Sequence, residues 1–95
     1  MKIAIAGAAG RMGQMLIQRI ADTEGCSLAG AIESASSNAL GRDAGEVAGV
    51  GAKGVKIVSD SSAAIAAAQV VIDFTVPAAT VAHARIASEK GVAMV

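Results

Sequence analysis

The chain has 95 residues and equal numbers of acidic and basic side chains, giving a formal net charge of zero. This length carries one small domain and not two, and the balanced charge excludes the basic excess that nucleic acid or an anionic membrane surface attracts. Alanine supplies much of the 54% hydrophobic fraction and Phe74 is the only aromatic, a composition suited to closely packed α/β layers rather than to a bulky β-sandwich core.

In chain order, Ile3 to Ala6 is an unbroken apolar run, as expected of a parallel strand covered on both faces. Lys2 and the apolar residues to Ala9 resemble the front of a signal peptide, but the run is short and passes directly into Gly10 and Arg11. No apolar run reaches the roughly 18 residues that a membrane helix needs, so the expectation is a soluble, cytoplasmic protein. From Arg11 the pattern turns helical, with Met12, Leu16 and Ile20 on one stripe and Gly13 and Ile17 beside it. Thr23-Glu24-Gly25 ends this helix, and Ser27 to Glu33 reads as a second strand.

Ser34 to Gly54 shows no sustained period and reads as a long functional loop, with a short helix around Ala44 to Ala48. Val55 to Val58 is a brief strand. Ser59 or Asp60 caps an alanine-rich helix running to about Ala68. Val70 to Phe74 is a fourth strand. Pro77 suits the first turn of the next helix, which stops near Lys90 and Gly91. Val92 to Val95 opens a fifth strand in which the chain stops, so the expectation is a Rossmann-like, doubly wound parallel sheet, truncated within that strand, with residues 1–95 forming one incomplete dinucleotide-binding domain.

Gly7, Gly10 and Gly13 form G-x-x-G-x-x-G between the first strand and the first helix. This is where a dinucleotide pyrophosphate sits in a doubly wound sheet. Gly7 takes the tight turn out of the strand. Gly10 lets backbone approach a phosphate, and the helix beginning near Arg11 offers free N–H groups and the positive end of its dipole. Gly13 lies on the apolar face of the helix, where a glycine costs about 1 kcal/mol relative to alanine and so asks for a packing reason. Glu33, about 20 residues further on, stands where a carboxylate accepts hydrogen bonds from adenosine ribose hydroxyls.

Other polar residues carry blander expectations. Cys26 is the only cysteine, which rules out an internal disulfide, and it reads as a buried, inert thiol. His83, the only histidine, has no cysteine near it and no clustered carboxylates, so it reads as a partly buried structural residue, neither metal ligand nor acid–base group. Asp73 lies in an apolar strand, where an isolated carboxylate is costly unless it is hydrogen-bonded or reaches the strand end, and it reads as ordering the loop that follows. Ser36-Ser37 and Ser61-Ser62 lack a nucleophile-elbow setting and read as loop and cap residues. Arg42, Asp43 and Glu46 read as a solvent-exposed charged segment. No catalytic residue and no metal site is expected in the chain.

The stretch from Ile3 to Gly13, with Gly10-Arg11-Met12-Gly13 at its end, resembles the amino-terminal fingerprint of the 4-hydroxy-tetrahydrodipicolinate reductase family. Gly41-Arg42-Asp43-Ala44-Gly45-Glu46 and Asp73-Phe74-Thr75-Val76-Pro77 agree with it in order and spacing. The resemblance implies an NAD(P)H-dependent oxidoreductase of the diaminopimelate and lysine pathway. It would reduce a cyclic dihydropyridine-type dicarboxylate, and the whole enzyme would be a homotetramer. It further implies that Gly7, Ala8, Ala9, Gly10, Arg11 and Met12 hold the pyrophosphate, Glu33 the adenosine ribose, and that Phe74 and Thr75 lie toward the nicotinamide.

Members of that family that accept NADPH readily often carry an arginine after the ribose glutamate, whereas Ser34 stands here. NADH is therefore the preferred cofactor over NADPH, unless Arg11 or Arg42 reaches in. The family's later Gly-Thr-Thr segment and its substrate domain are absent, so the small-molecule substrate would be bound elsewhere and the fragment alone is expected to be inactive. Two alternatives remain: the cofactor domain of another two-domain dehydrogenase, and a non-catalytic NAD-sensing module.

Overall fold

The computed structural model describes all residues, 1–95. Nine elements alternate along the chain: β1 (Lys2–Ala6), α1 (Arg11–Ala21), β2 (Ser27–Ile32), α2 (Ala44–Val47), β3 (Ile57–Val58), α3 (Ser61–Ala66), β4 (Val70–Asp73), α4 (Pro77–Lys90) and β5 (Ala93–Met94). The five strands form one sheet in the order β3-β2-β1-β4-β5, and every pairing is parallel. The order reverses beside β1, so the carboxyl ends of β1 and β4 flank the switch point, where open α/β sheets take their ligands.

The two faces of the sheet bury different side chains, because successive strand residues point to opposite sides. Ile3 and Ile5 of β1 pack with Ile17 and Ile20 of α1, Ala44 of α2 and Ile57 of β3. Ala4 and Ala6 face the other way and pack with Ile65 of α3, Val71 of β4 and Ala87 of α4. Helices therefore cover both faces, and the small side chains on the second face let α3 and α4 approach closely. Gly30 shows how close: a Cβ there would lie 2.7 Å from the Ala64 carbonyl oxygen. Nothing in the local pattern around Gly30 signals this role.

The elements follow the sequence expectation, with strands ending earlier. β2 stops at Ile32, one residue before Glu33, and β4 stops at Asp73, one before Phe74. β3 shrinks to Ile57–Val58 because the segment before it turns back, Lys56 bridging Asp43 in antiparallel fashion. Asp60, not Ser59, caps α3, its Oδ1 accepting the N–H groups of Ser62 and Ala63. Gly91 ends α4 at φ 69° in the left-handed conformation. No helix is long and apolar enough to cross a membrane.

Two expectations need correction. The buried stripe of α1 is Gly13, Ile17 and Ile20. Met12 and Met15 are exposed, since the helix leans its glycine, not its methionine, against the strand. The Arg42–Glu46 segment is also no simple solvated stretch. Asp43 is half-buried, and its carboxylate accepts four backbone N–H groups: those of Gly45, Glu46 and Lys53 at Oδ1, and that of Gly54 at Oδ2. It caps α2 and ties together both ends of the long loop.

The Lys53 N–H, joined by those of Glu46, Gly54 and Gly45, holds the Asp43 carboxyl below its ordinary value against the opposing effect of burial. A folded value below the unfolded one means that these bonds stabilise the fold above the ordinary carboxylate range, near pH 4. That contribution is lost as pH falls through the lowered folded value. Asp43→Asn should lower the thermal midpoint at neutral pH and flatten its decline below about pH 4. An acid branch identical to that of the unsubstituted chain would contradict this role.

Candidate dinucleotide site

The glycine turn owes its shape to a chain of backbone bonds. The N–H groups of Gly7 and Ala8 both donate to the Ile32 carbonyl, at 2.9 and 3.2 Å, and that of Gly10 donates back to the Gly7 carbonyl at 3.1 Å. Gly7 has φ +85°, a conformation that side chains rarely adopt. A Cβ on Gly13 would overlap the Gly7 carbonyl oxygen and lie 2.9 Å from the Ala8 Cα, which supplies the packing reason for a glycine inside a helix. As α1 starts, the Gln14 N–H donates to the Gly10 carbonyl. The N–H groups of Arg11, Met12 and Gly13 have no acceptor within the chain. Three donors at the positive end of an 11-residue helix are thus left for a ligand of negative charge.

These donors face a cleft of about 910 Å³ at the carboxyl ends of the strands. Of the residues singled out from the sequence, Gly7, Gly10, Arg11, Met12, Glu33, Phe74 and Thr75 line it together. Ala8 and Ala9 do not. Ala8 is fully buried, and the Ala9 N–H donates to the Glu33 Oε2 at 2.8 Å, so both shape the turn from behind. The same bond fixes Glu33 against the turn and leaves its second oxygen uncommitted. Ser34 follows Glu33 at the cleft, and Arg11 is the one arginine or lysine that lines it, with Arg42 outside.

The opposite wall holds a hydrogen-bonded group that sequence reasoning resolved only in part. Asp73, at the end of β4, accepts the Thr75 N–H at 2.7 Å and the Thr75 hydroxyl at the same oxygen, Oδ1. The Thr80 hydroxyl lies 3.4 Å from that oxygen. The expectation that Asp73 orders the following loop matches this geometry. Its second oxygen, Oδ2, lies 2.6 Å from Nδ1 of His83, whose Nε2 lies 3.0 Å from Oγ of Ser61. His83 is buried, so its structural reading agrees with its placement, but a carboxylate does stand beside it. Ser61 is more than a helix-start residue. The three partners lie 10 and 22 residues apart in the chain, and no local pattern could have joined them. Burial raises the Asp73 carboxyl, yet the bonds from Thr75 and His83 outweigh it and hold the group below its ordinary value.

Fold, glycine turn and cleft place the chain in the class of Rossmann-like α/β units, with a ligand cleft at the topological switch point. Residues 1–95 match the family described as dihydrodipicolinate reductase, N-terminus, and the chain belongs to that family. It is 54% identical over 95 residues to a 4-hydroxy-tetrahydrodipicolinate reductase from Cupriavidus necator, all of this chain and 36% of that protein. It is 53% identical over 95 residues to one from Aromatoleum aromaticum, again all of this chain and 34% of the relative. With one from a Bradyrhizobium species it shares 47% over 92 residues, 97% of this chain and 34% of the relative. The chain therefore spans about a third of the length of these relatives. A solved structure, a UDP-N-acetylglucosamine 3-dehydrogenase from Acidithiobacillus ferrooxidans, superimposes with a TM-score of 0.66 at 25% identity, covering 98% of this chain and 26% of that one.

Proposed function

We propose that the chain is the NAD(P)H-binding part of a 4-hydroxy-tetrahydrodipicolinate reductase, which transfers a hydride to a cyclic dihydropyridine-type dicarboxylate. The observation that carries this reading is the convergence, in one cleft, of three free N–H groups with a carboxylate already fixed against the glycine turn. The residues present fit a dinucleotide. The N–H groups of Arg11, Met12 and Gly13 bind the pyrophosphate oxygens, with Gly7 and Gly10 letting the backbone come close and Ala8 and Ala9 supporting the turn. Glu33 accepts from the adenosine ribose hydroxyls. Phe74 and Thr75, at the end of β4, lie across the switch point from Glu33 and border the nicotinamide. When bound, the dihydronicotinamide supplies the hydride. The family names and a dehydrogenase neighbour support the nicotinamide cofactor; the substrate, its remaining contacts and a homotetrameric assembly belong to the whole reductase in the same proposal.

NADH is preferred over NADPH. Glu33 repels a 2′-phosphate, Ser34 supplies no guanidinium beside it, and Arg42 lies outside the cleft, so only Arg11 is at hand to compensate. Calorimetric titration tests both points. NADH should bind saturably and more tightly than NADPH, and Glu33→Ala should weaken NADH roughly tenfold, the loss of hydrogen bonds to a charged acceptor. NADPH binding more tightly than NADH would overturn the preference. Unchanged NADH affinity in Glu33→Ala would overturn the ribose role.

A further inference from the structure

Asp73 stands behind the cleft and does not line it, whereas Phe74, Thr75 and Val76 all do. These three residues lie between the end of β4 and the start of α4. The Phe74 N–H still reaches the sheet, donating to the Ala6 carbonyl at 2.9 Å, but the Thr75 N–H finds no backbone acceptor. It donates instead to Oδ1 of Asp73, and the Thr75 hydroxyl donates to the same oxygen. The carboxylate therefore does for this loop what a further ladder bond would do for a strand. The loop in turn bears on the glycine turn: a Cβ on Gly7 would lie 3.3 Å from both the Cβ and the carbonyl oxygen of Phe74. The two oxygens of Asp73 thus serve different neighbours, Oδ1 the cleft-lining loop and Oδ2 the buried imidazole of His83.

In the sheet, β1 lies between β2 and β4. A ligand with its pyrophosphate on the turn after β1 and one ribose at Glu33, beyond β2, extends its other half over the end of β4. We infer that Asp73 is a positioning residue of the cleft. It holds the Thr75 loop in place for the half of the dinucleotide that Glu33 and the start of α1 do not hold, the nicotinamide riboside. Without that carboxylate the ligand itself must order the loop, and the entropy of fixing backbone then weakens binding.

This positioning role rests on the dinucleotide reading, and the choice of ligands separates the two. ADP keeps the adenosine and diphosphate of NADH and lacks the nicotinamide riboside. Both are titrated by calorimetry against the chain, Asp73→Ala and Asp43→Asn. The unsubstituted chain should bind NADH more tightly than ADP. Asp73→Ala should weaken NADH roughly tenfold, the ordering of about one backbone residue, and change ADP less than about twofold. Asp43 lies outside the cleft, so Asp43→Asn should lower stability and leave both affinities unchanged. A merely structural role for Asp73 would weaken NADH and ADP alike, and that result would overturn the inference. So would equal affinity of the unsubstituted chain for the two ligands, or a selective loss of NADH in Asp43→Asn. Whether or not Asp73→Ala folds, NMR of the unsubstituted chain gives a second reading. Its Thr75 amide should resist hydrogen exchange and should shift with NADH but not with ADP. A freely exchanging Thr75 amide, or one that NADH leaves unmoved, would equally contradict the positioning role. If ADP binds but the selective loss does not appear, the dinucleotide reading stands alone. If neither ligand binds, both fall.

Discussion

Gly13→Ala is expected to destabilise the chain by about 3 kcal/mol and to abolish dinucleotide binding. In an ordinary helix interior the same change would stabilise by about 1 kcal/mol, because alanine is the better helix former. Here the added methyl would overlap the Gly7 carbonyl oxygen and press on the Ala8 Cα. Both are backbone atoms and cannot swing aside as the end of a flexible side chain could. Gly7 is itself held to β2 through the Ile32 carbonyl, so the strain can be relieved only by moving α1 away from the sheet. That movement carries the Arg11, Met12 and Gly13 N–H groups off the cleft. Denaturant unfolding measures the stability change and calorimetry the binding. A variant as stable as the parent would show that α1 does not need the close approach.

Asp73→Ala is the second large effect. The change leaves the imidazole Nδ1–H, the Thr75 N–H and the Thr75 and Thr80 hydroxyls without their acceptor. Each buried donor left without its acceptor costs about 1–3 kcal/mol, and the Asp73 side chain is 1% exposed. Because its carboxyl is held below the ordinary value, this stabilisation is fully present above about pH 4 and is lost as pH falls through the lowered folded value. The urea midpoint of the variant should therefore fall steeply at neutral pH and converge with that of the parent in acid. A loss below about 1 kcal/mol at neutral pH, the size of a single ordinary hydrogen bond, would mean that His83 and the threonines find other partners.

These two residues also mark what the sequence could and could not reveal. Gly13 stands in a local motif whose spacing matches the geometry of one turn, and so its packing role was readable beforehand. The position of Glu33 at the cleft beside the turn was readable for the same reason, although its bond to the Ala9 N–H was not. Asp73 announced only that it needed partners. Which partners, and that His83 and Ser61 form a single chain with it, depends on how α3 and α4 pack on one face of the sheet. Gly30 and Asp43 were silent likewise. One is a glycine because a helix from the far end of a crossover passes over it, the other an aspartate because two ends of a long loop meet at its carboxylate. Met12 misled because a helical wheel shows which residues share a face but not how far the helix leans. It was apolar, and the glycine beside it decided the contact.

The central claim is that the start of α1 receives the pyrophosphate of a nicotinamide dinucleotide. Titrating isotope-labelled chain with NADH and following each backbone amide by NMR tests it most directly. The account predicts saturable shifts, largest at the Arg11, Met12 and Gly13 amides. A folded chain in which NADH leaves those three amides unmoved, or moves only residues away from the cleft, would contradict it.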